Sequence, residues 1–265
     1  MDALSERNPR VVSAVKLHRA VQRRKTGQFL AEGANAVAAA SDTGRVRELF
    51  YSADGAARAH ELVAGIAASG VRTTLVSDRA AQHLGDTVTA PGLVAVCDLI
   101  DVPLDDVLAA QPRMLAVAVE IAEPGNAGTL IRVSDSVGAD AVVLAGDTVD
   151  PHNGKCVRAS AGSLFHVPIA RHRDITETLD SIAAAGITIL ATAADGEIDL
   201  DDADELCTGP VAWLFGNEAH GLGPAVAARA DHRIRIPIRG RSESLNLATA
   251  AAICLYANSR IRYAQ

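Results

Sequence analysis

Three short segments of this 265-residue chain combine glycine with small polar or charged side chains, and they are where chemistry can be sought. The first is Glu120-Ile-Ala-Glu-Pro-Gly-Asn-Ala-Gly-Thr-Leu-Ile-Arg132. Pro124 and Gly125 make a turn, Asn126 can cap the helix that follows, and Arg132 sits on that helix within reach of the turn. The second is Leu214-Phe-Gly-Asn-Glu-Ala-His-Gly-Leu222. Here Gly216 lets a backbone pass close to a ligand, and Glu218 can accept a hydrogen bond or neutralise an arginine. Ala219 resists a left-handed backbone at its position. The third is Ile236-Pro-Ile-Arg-Gly-Arg-Ser-Glu-Ser-Leu-Asn-Leu247, which offers Ser242, Ser244 and Asn246 at the entrance to a long apolar helix. Taken singly, each is an ordinary capped helix or glycine-rich loop. Other chemistries lack their patterns: there is no GxGxxG, no GxxxxGK[ST], no HExxH and no GxSxG.

Each segment begins at the end of a predicted strand, where parallel α/β sheets bind their ligands. Met114–Val119 is a continuous apolar run, as a buried parallel strand requires. A helix over 127–137 follows, then strand Ala141–Ala145, helix 155–162, strand Val167–Ile169, helix 174–185 and strand Ile187–Ala193. Val211–Phe215 and Arg233–Pro237 are the last strands. The closing helix, 245–260, is apolar nearly all round, so a second side is available to bury, as at a subunit interface. The first hundred residues alternate in the same way. A helical spacing over 8–20 precedes strand Phe29–Ala31, a helix over 34–40, strand Val46–Tyr51, a helix over 56–69, strand Val71–Val76, a short helix capped by Ser77 or Asp78, and strand Leu93–Cys97. Asp101–Pro112, with two prolines and three aspartates, reads as a linker. The expectation is an α/β protein of two domains, 1–102 and 113–265, joined by a linker over 103–112.

In this order the three segments resemble the signature motifs of the SpoU (TrmH-type) RNA 2′-O-ribose methyltransferases, in the SPOUT superfamily. The likeness lies in the PGNxGxxxR run, the FGNExxGL loop and the IPI…SLN segment, and covers roughly 113–265. Gly27-Gln-Phe-Leu-Ala-Glu-Gly33, followed by Ala36-Val37, is similar to the start of the L30e-like substrate-binding domain often fused to such enzymes. The resemblance implies a C-terminal domain with a deep trefoil knot, S-adenosylmethionine bound in it, and a homodimer formed through that domain. It implies Asn126, Arg132, Glu218, Ser244 and Asn246 as the polar active site, and Thr192, Gly216, Ile236 and Leu245 around the cofactor, with no metal. An arginine is a poor base, since its pKa exceeds ~12. Arg132 is therefore expected to orient and stabilise, held by Glu218, while the proton leaves late or passes to a substrate phosphate. Ribosomal RNA is the expected substrate. Transfer RNA, a self-protecting antibiotic-resistance methyltransferase, and a non-catalytic RNA-binding or ribosome-assembly protein are the alternatives.

Composition fits this reading. Apolar residues make up 49% and aromatics only 3%, so a core of Ala, Val, Leu and Ile forms and base stacking is not the main resource for RNA. No apolar run is long enough to span a membrane, and the charged N-terminus lacks the apolar stretch of a signal peptide, which leads us to expect a cytoplasmic protein. Cys97, Cys156, Cys207 and Cys254 are far apart in sequence, so they read as reduced thiols. The net charge of −7 hides two basic clusters. Residues 1–25 carry seven arginines and lysines, among them Arg23, Arg24 and Lys25, against Asp2 and Glu6. Residues 229–241 carry five arginines against Asp231. Either cluster is a candidate phosphate-binding face, and Arg23, Arg24 and Lys25 are the expected RNA contacts.

Overall fold

A computed structural model describes residues 3–87 and 90–264. The strands, in chain order, are β1 (Gln28–Glu32), β2 (Val46–Tyr51), β3 (Arg72–Leu75), β4 (Leu93–Asp98), β5 (Asp101–Val102), β6 (Met114–Val119), β7 (Ala141–Ala145), β8 (Ile169–His172), β9 (Thr188–Thr192), β10 (Ile198–Asp199), β11 (Val211–Phe215) and β12 (His232–Arg235). They fall into two compact units. Met1–Ile100 with Asp150–His166 makes one, and Asp101–Val149 with Val167–Gln265 makes the other. None of the described helices is long and apolar enough to cross a membrane.

The first unit has a four-stranded mixed sheet in the order β1-β4-β2-β3, with β4 antiparallel to both neighbours and β2 parallel to β3. Its core is aliphatic, with Phe29 and Phe50 as the large side chains. The expected helix over 56–69 is two helices, Ala53–Arg58 and His60–Ala68, broken at Ala59. The first begins early because Ser52 Oγ caps it and Gly55 lies against the backbone of Gly92, where a Cβ would sit 2.3 Å from the carbonyl oxygen. The excursion 150–166 joins this unit through side chains. Phe29 lies against His152 and stacks on Phe165. Glu32, the acid of the Ala-Glu-Gly run, is buried and accepts from Asp86 N, Thr87 Oγ1 and Arg158 Nη1.

Arg23 is part of this packing, which corrects its expected place on an RNA-facing surface. It is only 4% exposed. Its Nε and Nη2 bind Asp150 Oδ2 at 3.0 and 2.7 Å, and Nη1 caps the carbonyls of Leu17 and His18. The cause is helical phase: Arg23 faces inward from helix Ala20–Thr26 while Arg24 and Lys25 face solvent.

The second unit is an eight-stranded, all-parallel sheet ordered β10-β12-β9-β11-β6-β7-β8-β5. β6, β7 and β11 are buried along their whole length, which explains their unbroken apolar sequence. The segment read as a linker is instead β5 and helix Leu104–Ala109. Pro103 stands at the helix N-cap and Pro112 before β6, both places where a missing N–H costs nothing, and Leu104 and Val107 are buried one turn apart.

The closing helix, Leu247–Tyr263, packs on helix Pro124–Ser136 and on β11. Asn258 accepts from Trp213 Nε1 and donates to the Cys207 carbonyl, and Arg262 grips Asp140 with two nitrogens. The helix is not buried all round within one chain: Leu247, Ala251, Cys254 and Leu255 face inward, whereas Ile253 and Tyr256 are exposed.

The Arg23–Asp150 pair yields a test. Burial works against the charge of Asp150, but hydrogen bonds from His152 and Arg23 outweigh it and hold the carboxyl well below the ordinary aspartate range. Its contribution is therefore present above the ordinary pKa of roughly 4 and is lost as pH falls toward the lowered value. Arg23→Ala, which strands that carboxylate, should cost about 3–5 kcal/mol, whereas Arg24→Ala should stay within about 0.5 kcal/mol. Urea denaturation of both variants at neutral pH measures the contrast.

Candidate active site

The carboxyl ends of β6, β9, β11 and β12 lie side by side, because the parallel register sets Phe215 opposite Ala118 and Leu214 opposite Ala191. The strand order also reverses here: the chain runs outward from β6 through β7 and β8, then returns to β9 on the other side of β6. Such a reversal opens a crevice above the strand ends. The three glycine-bearing segments leave the sheet at β6, β11 and β12 and converge on it.

Their meeting point is the Glu218 carboxylate. Oε1 accepts from Glu123 N at 3.1 Å and Asn126 Nδ2 at 3.0 Å, and Oε2 accepts from Ala122 N at 3.2 Å. Asn126 Oδ1 in turn accepts from Asn246 Nδ2 at 3.0 Å, and Asn246 Oδ1 caps the closing helix at Ala248 N and Thr249 N. One chain of hydrogen bonds thus joins all three segments. Partial burial disfavours the charge on Glu218, but the bond from Asn126 and those from the backbone outweigh it and draw its pKa below the ordinary glutamate value.

Local sequence explains each piece. Glu123 caps helix Pro124–Ser136 through Gly125 N, with Pro124 in the first turn. Asn126 is therefore not the expected cap; it lies inside the first turn, which frees its amide to bridge Glu218 and Asn246. Asn217 N and Gly221 O, and Gly221 N and Asn217 O, close a tight loop at 3.1 and 2.8 Å. Asn217 Nδ2 ties that loop to the Glu120 carbonyl at 2.7 Å. Glu120 holds a left-handed backbone, φ 53°, at the point where the chain leaves β6. The left-handed residue of the Asn217 loop is Gly221, so Ala219 meets no such strain.

Gly216 has a different reason from the one expected. A Cβ there would lie 2.2 Å from the Gly221 carbonyl carbon and 2.3 Å from Leu222 N. What passes close is the loop's own backbone, and Gly216 is buried beneath it. Thr192, Ile236 and Leu245 do come together. With Ala194, Ile234 and Ser244 they line a cavity of about 150 Å³ at the ends of β9 and β12. Thr192 Oγ1 is itself engaged with the Leu214 carbonyl. Gly216 does not border this cavity.

Arg132 is exposed on the third turn of helix Pro124–Ser136, and its side chain makes no hydrogen bond or ion pair among the described residues. The expected hold by Glu218 is absent: the bonds that carboxylate accepts come from Ala122 N, Glu123 N and Asn126 Nδ2 instead. The basic cluster at 229–241 is also largely spent within the chain. Arg229 pairs with Asp180, Arg233 with Asp195 and Glu197, Arg235 with Asp199 and Arg239 with Asp201. The acidic stretch that follows β9 neutralises it across the β10–β12 edge. Sequence reasoning missed Asn217 and Glu123 as loop-closing residues. Their signal was present, an Asn after Gly216 and an acid before Pro124-Gly125, but short-range caps leave no long-range pattern to read.

The class of protein this defines is a parallel α/β enzyme with three strand-end loops bonded into one polar centre beside an apolar slot. The chain belongs to the SpoU rRNA methylase family, whose pattern it matches over residues 113–256. Residues 8–95 match the MRM3-like substrate binding domain. The 23S rRNA (guanosine(2553)-2′-O)-methyltransferase RlmP of Bacillus subtilis is 32% identical over 95% of this chain and 96% of its own. A 23S rRNA (uridine(2479)-2′-O)-methyltransferase of Streptomyces viridochromogenes is 32% identical over 91% and 85%. The AdoMet-bound crystal structure of an rRNA methyltransferase from Sinorhizobium meliloti superposes with a TM-score of 0.84 at 30% identity, covering 98% of this chain and 97% of that one.

Glu218→Gln is the sharpest test of the polar centre. A glutamine offers one acceptor oxygen where three donors converge, and its own amide hydrogens oppose the backbone N–H groups. The bonds are solvent-exposed, so the variant should lose only about 0.5–1.5 kcal/mol of stability, and amide exchange at Ala122 and Glu123 should accelerate while that at β7 does not. Unchanged exchange at both positions would mean the carboxylate is dispensable to the loops.

Proposed function

We propose that this chain transfers the methyl group of S-adenosylmethionine to a ribose 2′-hydroxyl of large-subunit ribosomal RNA. The observation that carries the reading is the hydrogen-bonded chain Glu218–Asn126–Asn246, which joins the three segments beside the cavity of Thr192, Ile236 and Leu245. The cavity suits the cofactor: Ile234, Ile236 and Ala194 offer apolar walls for a planar base, and Thr192 and Ser244 stand at its border. When bound, the cofactor supplies a methyl group on a sulfonium, electrophilic without help from a metal.

The protein's share is alignment and charge. Asn126 and Asn246 fix one another's amides, and Glu218 fixes Asn126, so the floor of the site is set before the RNA arrives. Ser244 lies between the cavity and this floor. Arg132, exposed and without an ion pair among the described residues, presents a planar fork of donors to the incoming ribose or its phosphate. Its guanidinium stays protonated, so it orients and stabilises rather than removing the proton. The 2′-proton leaves late, to solvent or to a substrate phosphate.

On the first unit, Arg24 and Lys25 are exposed and carry no ion pair among the described residues, as are Lys16 and Arg19 nearby in sequence. They form the phosphate-gripping face, with Arg23 as its internal brace. The catalytic unit pairs with a second copy through the outer face of helix Leu247–Tyr263, where Ile253 and Tyr256 border a groove of about 650 Å³. The final segments thread a trefoil knot, a reading supported by the return of the closing helix to pack on helix Pro124–Ser136, which follows β6, and on β6 itself. An rRNA substrate places the work in the cytoplasm.

Mapping 2′-O-methyl sites in RNA from cells with and without the gene tests the assignment: one ribose of 23S rRNA should lose its methyl. Loss of a tRNA methyl with 23S rRNA unchanged would move the substrate. In single-turnover methylation, Arg132→Ala should lose about 10²–10³ in rate, Arg132→Lys should recover little, and S-adenosylmethionine affinity should scarcely move. Arg24→Glu with Lys25→Glu should lower the slope of log affinity for RNA against log salt by about 1 to 2, again without touching the cofactor.

A further inference from the structure

Among the described residues lining the cavity, Glu243 is the one that carries a charge. Its carboxylate makes no hydrogen bond or ion pair with them. A hydrogen bond from Ser242 Oγ to the Ser244 carbonyl, 2.7 Å, closes a turn around it. The arginines nearest in sequence leave it alone: Arg239 is taken by Asp201, and Arg241 is exposed and makes no ion pair with it. Glu243 is exposed, and a carboxylate with no counter-charge among the described residues, at the border of a mostly apolar slot, favours a cationic ligand over a neutral one.

The methyl donor brings one. Its sulfur carries a fixed positive charge, while the by-product, S-adenosylhomocysteine, has a neutral thioether in the same place. The ammonium and carboxylate of the methionine arm are the same in both. Glu243 stands immediately before Ser244 and Leu245, which also line the cavity, and three residues before Asn246, whose amide pairs with Asn126. If the acceptor ribose is held at that pair, the methyl, and with it the sulfur, would lie toward this end of the slot. We propose that Glu243 is a specificity-determining residue that reads the sulfonium charge, so that the slot favours donor over by-product and releases the by-product once the charge is gone. This rests on the reading of the cavity as the cofactor site. Two unit charges about 4 Å apart, screened as in bulk water, correspond to roughly fivefold in affinity.

Calorimetric titration of the full-length protein with S-adenosylmethionine, S-adenosylhomocysteine and sinefungin, which carries an ammonium where the donor has its sulfonium, tests the proposal. Glu243→Gln should weaken the donor and sinefungin by about fivefold and leave the by-product nearly unchanged. Raising the ionic strength should narrow the donor preference of the unaltered protein but not that of the variant. Equal weakening of donor and by-product would place the carboxylate on the shared ammonium and overturn the proposal, as would no change in either. Ala250→Leu, which fills the same cavity, separates the two readings. If it abolishes binding of both ligands while Glu243→Gln leaves their ratio intact, the cavity stands and the role of Glu243 falls. If it leaves both affinities intact, the cavity is not the cofactor site.

Discussion

The carboxylate of Glu218 takes hydrogen bonds from two backbone N–H groups and one side-chain amide of a segment far away in the sequence, and the arrangement of the site depends on it. A parallel sheet presents its loops at one edge, but it does not by itself fix their conformation. Without Glu218 the first segment would leave Ala122 N and Glu123 N to solvent, and Asn126 held by Asn246 alone. Ionised and triply bonded, Glu218 supplies all three needs. The Asn217 loop delivers it, the Glu120 carbonyl anchors that loop, and Gly216 clears space for the loop's own return. Asn246 then extends the network into the cap of the closing helix, so that the floor of the site and the start of the last core element are one structure.

The strands that carry the site were legible because their burial leaves a plain mark. Met114–Val119, Ala141–Ala145 and Val211–Phe215 agree with the sequence expectation to the residue, each being apolar without interruption and buried throughout. Short elements at the sheet edge were not legible. β5 and β10 are two residues each, and the helix after β5 hides among aspartates and prolines that also suit a loop. Membership of the 150–166 excursion in the first unit depends on pairings such as Arg23 with Asp150 and Arg158 with Glu32, which join residues more than a hundred positions apart. No local pattern announces those.

At the site, residue types were legible and their roles less so. Motif order brought together Asn126, Glu218 and Asn246, and separately Thr192, Ile236 and Leu245. It did not show that Glu218 holds backbone rather than Arg132, or that Gly216 accommodates its own loop. Charge was the least legible property. The arginines of 229–241 look like a phosphate-binding face until the acids of 195–201 fold against them. Those of the N-terminal helices divide by helical phase into a brace, Arg23, and exposed cations, Arg24 and Lys25.

If the Glu218–Asn126 bond organises the three loops as one unit, removing either partner should do most of the damage that removing both does. A double-mutant cycle on single-turnover methyl transfer, with Glu218→Gln, Asn126→Ala and the pair, measures this directly. The account predicts that the double variant is no more than about threefold slower than the slower single variant, a coupling of several-fold or more. Rate losses that multiply across the two positions would contradict it, because they would show the carboxylate and the amide acting independently.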